Sequence, residues 1–302
     1  MNFIDNPEII ALQPRLQDSD AGVRRIALID LADLEEPDAL PILITSLRND
    51  SDADVRAEAA RLLAAWEEPE VITALCEALT DTNHSVQELA AHSLTQLKEQ
   101  ISGQWILPWA NHADISVRRR ALRALRELRL PAAAEPAIQA LLDSDAGVRR
   151  EAVGVLAWLK HKPALAELAT LASSDTDVDV RRAATGALGF AAEQQSLSAL
   201  YRALQDTQWQ VREEAAATLG KLGFKEAGSD LVEALADEYW QVRLQAARAL
   251  GKLRFIPANP GLITLLGHSI SNLRKEAALA LGEIGDQHAA LAIHIDPVGR
   301  AA

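Results

Sequence analysis

Asp206 to Leu222 reads DTQWQVREEAAATLGKL, and the run returns 31 residues later, from Asp237 to Leu253, as DEYWQVRLQAARALGKL. Near-identity at a fixed interval signals a repeat array, so the period constrains the fold before any local propensity does. The Val of this run is matched by Val23, Val55, Val86, Val117, Val148, Val180, Val211, Val242 and Leu273. Successive intervals are 32, 31, 31, 31, 32, 31, 31 and 31 residues, which gives nine copies with no long insertion. A length of 302 would otherwise suggest about two globular domains.

Each copy reads as two antiparallel helices. The first carries spaced apolar residues, as in Leu197, Leu200 and Leu204. The second holds the Val and the apolar positions four, eight and eleven residues on, as in Val211, Ala215, Leu219 and Leu222. That stripe has the helical period. A polar residue three before the Val (Asp20, Asp52, Asn83, Asp114, Asp145, Asp177) is placed to cap the second helix, and Gly223 or Gly285 to end it. The Asp five before the Val recurs in seven copies and the Arg just after it in eight. Asp143, Arg149, Asp175, Arg181, Asp206, Arg212, Asp237 and Arg243 therefore predict a ladder of acid–base rungs between copies, since Arg bonds a carboxylate bidentately.

The D-x-x-x-x-V-R-x-x-A-x-x-x-L-G-x-L runs over about residues 8–285 resemble HEAT-like repeats of the short prokaryotic type found in phycobilisome lyase subunits. The resemblance implies an all-α fold, a right-handed α-solenoid of about nine helix pairs whose second helices line a concave wall. Repeats are expected at about 8–35, 38–67, 70–98, 103–129, 133–160, 163–191, 194–223, 227–254 and 259–285, in one array over 1–302. Residues 286–302 begin a further first helix and then meet Asp296-Pro297, so a half-repeat cap with a loose tail is expected.

Some copies depart from the pattern. Pro14 falls inside the first helix of the first copy, where an irregular start is expected, and Gln87 replaces the ladder arginine of the third. In the fourth copy Gly103 and Pro108 oppose a regular first helix, and His112 replaces the ladder Asp. A binding site and ordinary drift both fit that copy.

Positions two, three, six and ten after the Val are expected on the exposed wall. There Arg119, Arg150 and Arg182 stack on successive copies, joined by Arg120 and Arg123. Equivalent side chains should lie about 10 Å apart, the helix-packing distance. Trp158 and Phe190 add aromatics at the tenth position, and Trp209 and Trp240 recur two before the Val. Two readings stand side by side. In one, these residues form a groove for a protein segment with acidic and apolar groups. In the other, the tryptophans wedge between copies and the arginines pair with Glu127, Glu151 and Asp179.

Composition limits the functions open to such an array. A net charge of −13 disfavours bulk nucleic-acid binding. One cysteine, Cys76, excludes an internal disulfide and fits a reducing compartment, and its apolar setting predicts an inert buried thiol. The opening MNFIDNPEIIAL has no basic region of a signal peptide, and no apolar run reaches the length of a membrane span. A cytoplasmic monomer is expected. There is no nucleophile elbow or phosphate-binding glycine loop. The seven histidines lack metal spacing, so neither a cofactor nor a metal is expected and an enzyme is disfavoured. The leading expectation is a protein-binding scaffold or assembly factor. The resemblance keeps two alternatives open: a bilin-lyase-like or tetrapyrrole-handling protein, and a DNA-binding or repair protein.

Overall fold

The computed structural model describes residues 6–285, and all regular structure among them is helical. The chain divides into two compact units between Leu159 and Lys160. In the first unit, α1 (Pro7–Leu16) pairs with α2 (Ala21–Ala32), α3 (Leu40–Asn49) with α4 (Ala53–Leu62), and α5 (Pro69–Ala78) with α6 (His84–Leu94). The fourth repeat keeps its second helix, α7 (Ile115–Leu128), but two 3₁₀ stretches, Gln100–Trp105 and Leu107–Asn111, replace the first. The fifth repeat is α8 (Ala134–Ala140) with α9 (Ala146–Leu159). In the second unit the pairs are α10 (Leu165–Ser174) with α11 (Val178–Ala187) and α12 (Gln194–Ala203) with α13 (Trp209–Leu222). There follow α14 (Gly228–Ala234) with α15 (Trp240–Leu253) and α16 (Asn259–Leu266) with α17 (Ser271–Ile284).

The second helices stack in sequence, α2 on α4 on α6 in the first unit and α11 on α13 on α15 on α17 in the second. The repeating Val explains this. Val55, Val86, Val117 and Val148 in one unit and Val180, Val211 and Val242 in the other are almost wholly buried. Burying one such side chain stabilises by about 1.5–3 kcal/mol. The predicted caps form: Asp52 accepts from the backbone N–H groups of Asp54 and Val55, and Asp114 from those of Ser116 and Val117. Gly223 and Gly285 end α13 and α17 in the left-handed conformation.

Two expectations change. α1 runs unbroken through Pro14, which lies on the exposed side of its last turn and forgoes only its own bond to the Ile10 carbonyl. Phe190 does not extend an α-helix, since α11 ends at Ala187 and the chain tightens into a 3₁₀ turn over Leu188–Phe190. The cap and tail expected at 286–302 lie outside the described residues.

Candidate functional site

The ladder predicted by the repeating Asp and Arg is present, and it runs forward. The rungs join an arginine to the Asp of the following repeat through Nε and Nη2, in a bidentate fork: Arg24 to Asp50, Arg56 to Asp81 and Arg118 to Asp143 in the first unit. In the second unit Arg181 reaches Asp206 and Arg212 reaches Asp237, at 2.7–3.0 Å. The third arginine nitrogen, Nη1, donates to a carbonyl six residues back in its own repeat, as Arg149 does to Asp143 and Arg243 to Asp237. Each Asp also accepts from the backbone N–H two residues on, as Asp175 does from Asp177. Burial pushes the carboxyls of Asp50, Asp81, Asp143, Asp206 and Asp237 up, but arginine and backbone donors outweigh it and hold them below the usual carboxylate range. These residues are committed to structure.

The remaining basic residues are not consumed in this way. In the first unit a cleft of about 290 Å³ crosses α6, α7 and α9, and Arg119, Arg123, Arg150 and His92 line it. Arg119, Arg123 and Arg150 are exposed, and no carboxylate among the described residues lies within ion-pair distance of them. The two acids in the lining are taken by other arginines. Glu88 accepts from Arg120 Nη2 at 2.6 Å, and Glu151 from Arg126 Nη1 at 2.9 Å.

Arg120 corrects the sequence expectation. It is 6% exposed and pairs across to Glu88 of the preceding repeat, so it is no part of an open strip. The third position after the Val faces the neighbouring second helix, which is also why Glu151 is 7% exposed. Glu127 pairs with the adjacent Arg126 rather than with the exposed arginines. Arg182, in the second unit, is half-exposed and stands 3.6 Å from Glu214.

The aromatics divide by role. Trp158 is 47% exposed at the end of α9, and the Arg129 guanidinium lies over its ring at 4.4 Å. Trp209 and Trp240 are half-buried at the starts of α13 and α15, and Phe190 is half-buried. Trp209 stacks on Tyr239 of the next repeat with centroids 5.5 Å apart. Sequence reasoning missed Tyr239, Arg129 and Glu88. Tyr239 sits where other repeats carry a capping Asp, and that substitution was the available signal.

Little else here suits chemistry. Burial pushes the Cys76 thiol up to about 12, so it stays protonated and unreactive. Among the described residues no group of three or more His, Cys, Asp or Glu side chains is placed to hold a metal, and no helix is long and apolar enough to cross a membrane.

The sequence pattern of a family described as HEAT repeats matches residues 4–61, 43–104, 103–189, 165–251 and 228–293. No curated protein matches the chain. Among solved structures, YibA of Escherichia coli is similar at 21% identity and a TM-score of 0.60, over 89% of this chain and 98% of that one. An engineered protein is similar at 23% identity and a TM-score of 0.53, over 96% and 92%. Kap95 in its complex with Nup1 is similar at 13% identity and a TM-score of 0.63, over 91% of this chain but only 44% of its own.

Proposed function

We propose, for a chain that belongs to the HEAT-repeat family, the role of a non-enzymatic scaffold that holds another protein against the exposed face of its second helices. The period continues from Val148 to Val180 without insertion, which supports reading the nine repeats as one array. Stacked helix pairs supply long rigid surfaces suited to such binding, and the similar fold of Kap95 occurs in complex with Nup1.

The observation that carries the reading is the set of exposed arginines with no carboxylate partner among the described residues, Arg119, Arg123 and Arg150, on a unit that also exposes Trp158 at the end of α9. Guanidinium and indole groups are the usual anchors of interfaces. The complementary partner segment bears acidic and apolar side chains, and a chain of charge −13 offers few other places for such a segment.

The test is a comparison of the wild type with Arg119→Glu/Arg150→Glu. Proteins captured from the native cell are identified by mass spectrometry, purified and titrated against both forms. We expect a partner whose affinity falls at least about tenfold in the double variant, with thermal unfolding unchanged, because rim charges act on encounter rather than folding. Equal affinity of both forms for every captured protein removes this face as the binding surface.

A further inference from the structure

The cleft over α6, α7 and α9 is more specific than a positive patch. A Cβ built on Gly147 would lie 3.0 Å from Cδ of Arg119 and 3.4 Å from its Nη1. Arg119 therefore crosses from α7 and lies against the first turn of α9 beside Gly147, where the capping Asp145 Oδ1 approaches the same point to 3.0 Å. Arg150 is three residues beyond Gly147, on the same side of α9 and one turn on. Arg123 is one turn beyond Arg119 on α7. Two helices thus direct three guanidinium groups at one cleft.

Charge bookkeeping within the cleft is unbalanced. Its lining holds four arginines against two glutamates, a net charge of +2, and Arg119, Arg123 and Arg150 have no carboxylate within ion-pair distance among the described residues. Glu88 and Glu151 cannot swing to the exposed arginines without abandoning Arg120 and Arg126, and both Arg120 and Glu151 are buried. Leaving the buried Arg120 unpaired puts an uncompensated charge out of water and is strongly unfavourable. Like charges held together in this way are relieved by an anion from outside.

We infer that this cleft binds a doubly charged oxyanion, the phosphate group of a phosphorylated side chain or free phosphate, between Arg119 and Arg150 with Arg123 at its edge. Guanidinium forks match phosphate oxygens bidentately, and clusters of arginine are the recurrent receptor for phosphorylated motifs. The lining's net charge of +2 is balanced by one dianion, whereas a single carboxylate neutralises only half of it. The site rests on the protein-binding reading only for the source of the phosphate.

The probes are inorganic phosphate and the capped tripeptide Ala-phosphoserine-Ala, titrated into the full chain and followed by phosphorus NMR. The capped tripeptide Ala-Glu-Ala serves as the competitor. We expect saturable binding of the phosphopeptide and displacement by Ala-Glu-Ala at least tenfold less effective than by unlabelled phosphopeptide. Arg119→Ala and Arg150→Ala should each weaken binding at least fivefold. Arg119→Lys, which keeps the charge but loses the fork, should weaken it as well, while Arg25→Ala, an exposed arginine at the same register on α2, leaves it unchanged. Thermal unfolding of all four variants should match the wild type. Binding unchanged in Arg150→Ala overturns the site. Equal displacement by Ala-Glu-Ala overturns the preference for a dianion and leaves the acidic-partner reading standing. Binding of free phosphate without the phosphopeptide supports the site and removes a protein as the source.

Discussion

The rung arginines and the cleft arginines differ by one residue in sequence and by their whole energetic role. Arg212 and Asp237 are each largely buried, and Arg212 also serves a carbonyl of its own repeat. Arg212→Ala leaves a buried carboxylate without its fork, and we expect a loss of about 2–4 kcal/mol, read from urea unfolding. Arg119→Ala, one register step away on an exposed face, should stay within about 0.5 kcal/mol of the wild type in the same experiment. The last rung is a natural variant of the first kind. His268 Nδ1 accepts from the Ile270 N–H, while its Nε2 faces Arg243 Nη2 at 3.1 Å. An imidazole cannot accept at both nitrogens in either neutral tautomer, so it cannot satisfy both donors as a carboxylate does. Arg243 Nε is also buried without a partner. His268→Asp restores the fork and should raise stability by about 1 kcal/mol or more, measured by the same unfolding curves. The ladder was legible in sequence because the repeat prints Asp and Arg at fixed offsets in most copies. The fate of Arg120 was not, because the period tells which residues are equivalent and not which side of a helix meets its neighbour.

Between helices, spacing depends on small residues at two matched positions. A Cβ on Gly220 would come within 2.7 Å of Ala249 Cβ and 2.8 Å of its Cα, so α13 and α15 approach backbone to side chain. Gly251 meets Ala280 of α17 in the same way, while Gly282, the equivalent in the last described helix, meets nothing within 4 Å among the described residues. One substitution therefore has opposite outcomes at equivalent sites. Gly220→Ala should destabilise by about 1–3 kcal/mol through overpacking. Gly282→Ala should stabilise by up to about 1 kcal/mol, since alanine is the better helix former and no neighbour among the described residues is displaced. Thermal unfolding of the two single variants decides it, and a loss in both would show that position 282 is packed as well. The L-G-K-L runs displayed these glycines plainly, yet their reason lies in the next repeat. In the fourth repeat, by contrast, Gly103 and Pro108 predicted the loss of a regular first helix, and the 3₁₀ stretches followed from local chemistry alone.

For the whole chain, acid separates two electrostatic effects that act in opposite directions. At neutral pH the charge of −13 repels itself, and this repulsion fades as pH falls toward the isoelectric point near 5.0. Glu214 adds to the same trend. Burial pushes its carboxyl up, so its unfavourable contribution is present at neutral pH and relieved as it takes a proton. Stability should therefore be level or rise slightly from pH 7 to 5. The rungs act the other way. Asp50, Asp81, Asp143, Asp206 and Asp237 have folded values below the ordinary aspartate value, so their contribution is complete above that value and drains as pH falls toward the depressed ones. The contribution of each rung is lost as pH falls below the ordinary aspartate value of about 4. Because neighbouring repeats share rungs, the loss is cooperative along a unit rather than confined to one junction. Urea midpoints measured from pH 7 to 3 should stay flat and then fall steeply below pH 4. Asp81→Asn should start from a lower midpoint and fall less, because one titrating rung is already gone. A midpoint that declines steadily from pH 7, or an Asp81→Asn curve parallel to the wild type throughout, would show that the ladder does not govern acid stability.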